Sequence, residues 1–339
     1  MKTLEQVFTL ENLYETHKRC RKCKQYKEEV VNFELNLAQN LCNIRNEILN
    51  RTYSIKRYRK MTIYEPKERK IDWLSYRHRI VQNCLCEHIL KPVLDKKFIK
   101  DNTACRIRKG TDYARKRLRF FLNEYKKKYG AEGYILKADF SKYFASINHD
   151  ILKAELAKHF DKNILWLLYI YVDSVPENEG IPIGNQTSQW FALLYINTID
   201  HIIKEKYCIK YYIRYMDDLV IIDNDKNKLR TILKGLFGEV EKRKLQFNAK
   251  TQISKITRGV PFLGFNFYIV DNKVIARIQK NSRNRIKRSL RRNVYLYAYG
   301  IRNFDGCVSV HLNYRNYFSR NDCAYTEFFN KERNKFVLQ

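Results

Sequence analysis

Asp217 and Asp218 stand side by side between two apolar runs, Tyr211 to Met216 and Leu219 to Asp223, the pattern of a β-hairpin with both acids at its bend. Such a pair is costly, because like charges about 4 Å apart repel by roughly 1 kcal/mol in water and several times more at lower effective dielectric. A divalent cation would offset that cost. A third acid, Asp139, lies at the end of the short β-prone run Tyr134 to Phe140 and completes a site if that strand lies beside the hairpin. Three carboxylates are hard oxygen ligands that suit Mg²⁺, with waters and substrate phosphates filling its shell. Two such ions about 3.5 to 4 Å apart activate an attacking hydroxyl and stabilise a leaving pyrophosphate. Each acid taken alone has a blander reading, since a lone Asp at a strand end is usually a solvated turn residue.

The elements that must position these acids alternate in type. Phe33, Leu37, Leu41, Ile44 and Ile48 recur at helical spacing, as do Leu118, Phe121, Leu122 and Tyr125, and both sets predict amphipathic helices. Between them Met61 to Ile71, with Pro66 and dense charge, predicts an extended pair of strands or a loop. After the Tyr134 to Phe140 strand, Asn148 is placed to cap a helix through about Phe160. Beyond Gly180-Ile-Pro-Ile-Gly184, the apolar positions Trp190, Phe191, Leu194, Ile199, Ile202 and Ile203 fit one face of a helix running to about Glu205. A further helix is expected from about Asn227 to Leu245. The last 60 residues carry one with Ile286, Leu290, Val294 and Tyr297 on one face and Arg283, Arg285, Lys287, Arg288, Arg291 and Arg292 around it, a candidate for gripping phosphates.

The chain has 339 residues, 45% of them hydrophobic, with five prolines and eleven glycines, so it can bury a core of two or three packed lobes and has little of the composition of a linker. No internal repeat separates those lobes. The formal charge of +30 makes a polyanion the leading partner, with nucleic acid ahead of an acidic membrane surface. The longest apolar stretch, Ile164 to Val172, is far short of the roughly 20 residues of a spanning helix. Met1 to Leu13 carries Glu5 and Glu11 and reads as no signal peptide, so a cytoplasmic location is expected. Nine scattered cysteines agree with a reducing compartment. Cys20-x-x-Cys23 with His17 before it has the start of a zinc spacing, but no second pair follows and ordinary thiols are preferred. Cys84 and Cys86 are expected in the core.

Ile-Arg-Tyr215-Met216-Asp217-Asp218-Leu-Val-Ile-Ile resembles the YMDD box of reverse transcriptases, and Ala138-Asp139-Phe140-Ser-Lys-Tyr-Phe144-Ala-Ser-Ile147 resembles that family's first metal motif. The likeness continues in order over about 270 residues, from roughly Ile63 onward. It implies an α+β chain with the right-hand polymerase fold of fingers, palm and thumb, its small antiparallel palm sheet flanked by helices. It implies metal binding by Asp139, Phe140, Asp217 and Asp218, two Mg²⁺ ions for which Mn²⁺ can substitute, and Lys250, in Asn248-Ala-Lys-Thr251, as proton donor to pyrophosphate. Lys67 and Arg69 match the fingers residues that hold the triphosphate. Phe140, Phe144, Ile183, Gly184, Gln189, Tyr215 and Met216 fall around the incoming nucleotide. Phe144 takes the place of the aromatic gate against a 2′-hydroxyl, and favours dNTPs. Arg79-Ile-Val-Gln82 and Cys105-Arg106-Ile-Arg-Lys109-Gly110 resemble further fingers motifs, although His78 stands where Asp is common, so Arg106 and Lys109 join Arg285, Arg288 and Arg292 as expected nucleic-acid contacts. Phe262, Leu263 and Gly264 resemble the primer grip. The implied division is 1–60 helical extension, 61–130 fingers, 131–147 palm, 148–186 fingers to palm connection, 187–266 palm and 267–339 thumb.

Ile181-Pro-Ile183-Gly184-Asn-Gln-Thr-Ser188-Gln189 separates the subfamilies. Retroviral, retron and group II intron enzymes usually carry Gln where Ile183 stands, and the latter two have Ser-Pro for Ser188-Gln189. The variant here resembles the enzymes of diversity-generating retroelements, which copy a template RNA with errors opposite adenine. The length leaves no room for maturase and endonuclease domains after the thumb. The resemblance implies template RNA, a DNA or RNA primer, dNTPs and a small basic helical accessory protein, often a homopentamer, as partners, and no membrane. A retron-like or phage-defence enzyme shares the catalytic residues and stays open, as does a nucleic-acid-binding protein of the same fold without chemistry.

Overall fold

The amino-terminal helices begin where side chains can satisfy their free amides. Thr3 and Gln6 form a reciprocal capping box at α1, Leu4–Val7. The Thr9 hydroxyl accepts from Asn12 N–H at the start of α2, Leu10–Arg21. The computed structural model describes residues 2–55, 58–64, 68–301 and 303, with Val294 as backbone only. Lys67 and the end of the expected thumb, 304–339, lie outside the described residues. The helix expected from Phe33 to Ile48 is two, α3 (Glu28–Leu35) and α4 (Leu37–Leu49), because Asn36 leaves helical geometry at φ −126°, ψ 43°. Its apolar face still buries Phe33, Leu41, Ile44 and Ile48.

The charged segment around Pro66 opens with β1 (Arg59–Ile63) and closes with β2 (Arg69–Trp73), paired antiparallel from Arg59↔Trp73 to Ile63↔Arg69. Then come α5 (Tyr76–Leu85), a π-turn at Cys86–Leu90, α6 (Lys91–Leu94) and α7 (Thr111–Tyr129). On α7 the expected Leu118, Phe121, Leu122 and Tyr125 are buried.

β3 (Tyr134–Asp139) leads to α8 (His149–Ala157), whose cap is the expected Asn148, its carboxamide oxygen 3.2 Å from Ile151 N. The helix stops at Ala157, short of Phe160. Asp161 caps α9 (Lys162–Val172). The next helix, expected to run to Glu205, breaks at Ile196 (φ −110°, ψ 14°) into α10 (Gln186–Tyr195) and α11 (Asn197–His201), followed by a π-turn at Ile202–Lys206. Residues 190–195 of α10 are all buried, as a helix apolar on every side must be, and it packs on α5, α8 and α9. β4 (Tyr212–Tyr215), β5 (Asp218–Asp223), α12 (Lys226–Lys242), β6 (Gln252–Lys255), β7 (Val260–Phe262), β8 (Phe265–Val270), β9 (Lys273–Ile278) and α13 (Lys280–Ala298) complete the order.

The result is a mixed α+β fold with small sheets: β1–β2, a four-stranded sheet ordered β4–β5–β3–β6, and the meander β7–β8–β9. The chain divides into two compact units. The first takes residues up to Ala114, Leu136–Ile221 and Asn227–Gln252; the second takes Arg115–Ile135, Ile222–Lys226 and the described residues from Ile253 on. In the second, α13 buries Ile286 and Leu290, whereas Tyr297, expected on the same face, is exposed. No described helix is long and apolar enough to cross a membrane.

Candidate active site

β4 and β5 pair from Tyr212↔Ile221 to Tyr215↔Asp218, so the bend itself is Met216 and Asp217, and Asp218 opens β5 instead of sharing the bend. Met216 has φ +55°, a left-handed conformation that costs a non-glycine residue about 1 kcal/mol or more and that tight hairpin bends demand. Surrounding bonds hold it there: Arg214 Nη1 donates to Met216 O at 2.9 Å. Tyr215, Met216, Asp217 and Asp218 are all partly exposed, as groups that meet a substrate must be.

Asp139 ends β3, the strand next to β5. Its carbonyl accepts from Asn248 N–H at 2.7 Å, and Ser141 N–H donates to Gln246 O at 2.9 Å. Asn248 in turn builds a tight turn, its side-chain oxygen accepting from Lys250 N–H at 3.1 Å and its carbonyl from Thr251 N–H at 2.9 Å. Lys250 is thereby held on an exposed turn that hangs from the backbone of Asp139. Phe140 is buried, stacked on Phe247 with ring centroids 5.1 Å apart, so its side chain serves the core and only its main chain is left for a ligand.

Asp218 is in direct contact with the ammonium of Lys137, a β3 residue on the same face as Asp139. Burial holds the Asp218 carboxyl above the usual carboxylate range; Lys137 works against that rise and the charge of Asp217 adds to it. Among the described residues, no three Asp, Glu, His or Cys side chains are already gathered as a metal cluster. The donor set nevertheless fits a divalent cation. Its side chains are all carboxylates, hard oxygen donors, two of them repelling each other where one positive group is already stabilised.

Phe144 is partly exposed, and its carbonyl accepts from Ile181 N–H at 2.8 Å, which sets it beside the segment leading into α10. Ile183 O accepts from Asp72 N–H at 3.0 Å, tying that segment to β2. Gly184, at φ +123°, lies so close to β2 that a Cβ would meet Asp72 O at 2.7 Å. Gln82 Oε1 accepts from Gln186 N–H at 3.2 Å at the head of α10, and Gln189 is exposed one turn on. Arg69 is exposed on β2.

Arg106 departs from expectation. Its guanidinium is turned inward, donating to Asp95 Oδ1 at 2.5 Å and to the carbonyls of Ile99, Asn102 and Asp95. It is therefore a strut of the 95–106 segment and not a phosphate contact. Lys109 donates to Lys100 O at 2.7 Å, and burial, with Arg106 adding, pushes its ammonium down to about 8. Arg285, Arg288 and Arg292 are exposed on α13. Phe262 is buried, and Leu263 (φ +46°) and Gly264 (φ +85°) make the two-residue bend between β7 and β8. His17 is a core histidine, bonded to Tyr76 and Glu34, and burial pushes the Cys20 thiol up to about 11. Lys137, Arg214 and Asn248 were not singled out from the sequence; the first two are charged residues within strands, the one signal that points to them.

A family model described as reverse transcriptase (RNA-dependent DNA polymerase) matches residues 59–267. No curated protein matches the chain significantly. Among solved structures, apo telomerase from Candida tropicalis truncated from its C-terminal domain aligns with TM-score 0.50 and 15% identity over 69% of this chain and 59% of that one. Telomerase from Candida albicans, in complex with a fragment of telomeric RNA, aligns with TM-score 0.50 and 12% identity over 83% of this chain and 60% of that one. At such identities the likeness is one of fold, and this chain spans about three fifths of the length of either telomerase.

Proposed function

Because the chain belongs to the reverse transcriptase family of RNA-dependent DNA polymerases, we propose that it copies a template RNA into DNA by extending the 3′-end of a DNA or RNA primer with dNTPs. The observation that carries this reading is the tight β4–β5 bend bearing Asp217 and Asp218 on the strand next to the one that ends in Asp139. Asp139, Asp217 and Asp218, with the main chain of Phe140, would hold Mg²⁺ or Mn²⁺. When bound, such ions supply activation of the primer hydroxyl and neutralisation of the departing pyrophosphate. Lys250, presented by the Asn248 turn, donates a proton to pyrophosphate. Phe144 screens the sugar of the incoming nucleotide, and Ile183, Gly184, Gln189, Tyr215 and Met216 line its pocket. Arg69, with Lys67, takes the triphosphate. Phe262, Leu263 and Gly264 seat the primer end, and Arg285, Arg288 and Arg292 meet the phosphate backbone.

The finer assignment, to the error-prone enzyme of a diversity-generating retroelement, rests on Ile183 and Ser188-Gln189. An aliphatic side chain at 183 gives the nucleotide apolar contact where an amide would supply a hydrogen bond, which weakens discrimination. A small basic helical protein, as a homopentamer, is the partner that this assignment brings. Extension of an oligo-dT primer on poly-rA with Mg²⁺ tests the polymerase reading: a DNA ladder supports it, and RNA binding without product means a binding module. Ile183→Gln tests the subtype, since the account expects fewer errors opposite template adenine, and an unchanged error spectrum counts against it.

A further inference from the structure

A fully buried ion pair lies directly behind the catalytic bend. Arg214 and Asp200 are both 0% exposed. Arg214 Nε donates to Asp200 Oδ1 at 2.7 Å and Nη2 to Oδ2 at 2.6 Å, the two-pronged geometry that only a guanidinium provides. Tyr212, on the same strand face, donates its hydroxyl to Asp200 Oδ1 at 2.5 Å. Two of the three remaining guanidinium protons reach other elements: Nη1 donates to the carbonyl of Met216 at 2.9 Å, and Nη2 to the carbonyl of Leu193 in α10 at 3.2 Å. The backbone of Arg214 is equally fixed, its N–H donating to Asp101 O at 3.0 Å and its carbonyl accepting from the amide and hydroxyl of Thr103, both at 2.9 Å.

A buried ion pair is a poor way to gain stability, because well-packed apolar residues of similar volume commonly do as well. What an apolar pair cannot do is hold two carbonyls from different elements through hydrogen bonds from one side chain. The carbonyl of Met216 belongs to the rigid peptide unit that ends at the Cα of Asp217, so fixing that oxygen fixes where the Asp217 side chain is rooted and leaves one backbone torsion, φ, to aim it. Met216 sits at φ +55°, where the residue type itself favours another conformation, and the bond from Arg214 opposes that preference. The same side chain ties the bend to α10, which begins at the proposed nucleotide pocket.

We propose that Arg214, anchored by Asp200, is a positioning residue that sets the Met216–Asp217 bend, and with it the Asp217 carboxylate, against α10. The inference rests on the polymerase reading of this site. Burial alone would lower the affinity of Arg214 for its proton, but the charge of Asp200 overcomes it and keeps the guanidinium charged. Thr103 and Asp101 hold the strand, and Asp200 and Leu193 hold the guanidinium, so Arg214 is fixed from both sides.

The test is the double variant Arg214→Met with Asp200→Asn, which removes both charges, nearly keeps the volume and leaves the Tyr212 hydroxyl an acceptor. Thermal melting, primer–template affinity, steady-state extension and Mn²⁺ binding followed by electron paramagnetic resonance are compared with the wild-type chain. Positioning predicts a melt that stays cooperative, though at a lower temperature because the carbonyls of Met216 and Leu193 lose a donor, with a dNTP KM within about threefold, a kcat lower by about tenfold or more, and weaker Mn²⁺ binding. Wild-type kcat and Mn²⁺ affinity in the folded double variant overturn the proposal. Should that variant lose its cooperative melt, Arg214→Lys takes its place, since it keeps a charge for Asp200 but cannot reach both carbonyls: lost kcat at an unchanged melting temperature supports the proposal, and full kcat overturns it. Were the wild-type chain itself to make no DNA, the polymerase reading would fail on its own, and the Mn²⁺ affinities would still decide the role of Arg214.

Discussion

Lys137 and Asp218 form a direct ion pair across neighbouring strands, so the acidic bend carries a cation of the chain's own. The pair is largely shielded, with side-chain exposures of 19% and 22%. An ammonium there neutralises Asp218 and opposes the arrival of a second positive charge.

Lys137→Met is therefore expected to have two opposite effects. Without divalent ions the variant melts lower, by a loss on the order of 1–3 kcal/mol, because the largely shielded Asp218 then lacks its hydrogen-bonded counter-charge while the charge of Asp217 still opposes its own. With Mg²⁺ or Mn²⁺ added, its stabilisation exceeds that of wild type and half-saturation comes at lower metal concentration. Melting curves across a metal titration read both effects. Equal metal-dependent shifts in the two proteins would show that Lys137 does not compete for the site.

Gly184→Ala should damage the contact between β2 and the segment before α10. A Cβ there would stand 2.7 Å from Asp72 O, a backbone atom that cannot rotate away, and φ +123° strains any side chain. A destabilisation of about 1–3 kcal/mol is expected, with a raised KM for dNTPs. Denaturant unfolding and steady-state kinetics check the two parts, and a variant with unaltered KM would mean that this contact does not shape the nucleotide pocket.

Phe144→Val should admit ribonucleotides. The Phe144 backbone is pinned by Ile181 and its ring meets Tyr143 edge-on at 5.8 Å, so shortening the side chain opens space without moving the chain. Discrimination between dNTP and NTP is expected to fall by about tenfold or more, since a lost steric contact is worth roughly 1–3 kcal/mol. Competition of dTTP with UTP on poly-rA measures it; unchanged discrimination would place the gate elsewhere.

His78 ties part of the stability to pH. Burial, with Arg77 adding and Glu47 opposing, pushes its imidazole from 6.5 down to about 4, and Tyr53 Oη lies 2.6 Å from its Nδ1. The unfolded chain therefore takes up this proton first as pH falls. The stability of the neutral ring is complete above about pH 6.5 and is lost on the way down to about pH 4. His78→Asn should lose less melting temperature than wild type between pH 7 and pH 5; parallel losses would assign the acid sensitivity to other groups.

Much of this was legible in the residues because local preference and burial agree there. The strands around Asp139 and the Asp217–Asp218 bend are short, apolar and β-prone, and Asn148 caps its helix as its type demands. The breaks at Asn36 and Ile196 were not legible, because the apolar spacing runs on in phase across both. Arg106 and Arg214 expose the other limit: an arginine reads as surface charge until its partners are known, and both are bound internally. For Arg214 a signal existed, since it stands between Ile213 and Tyr215 in a strand too apolar to solvate a charge. Asn248 gave none, for its role depends on a backbone contact with Asp139 across 109 positions of sequence.

The most direct measurement is single-turnover extension of a DNA primer on an RNA template by wild-type protein and by Asp139→Ala, Asp217→Ala and Asp218→Ala, with primer–template binding followed in parallel. If these carboxylates hold the catalytic ions, each variant binds as wild type does and extends slower by on the order of 10³-fold, the loss of several kcal/mol of charge stabilisation. Extension at the wild-type rate by any of the three would contradict the account.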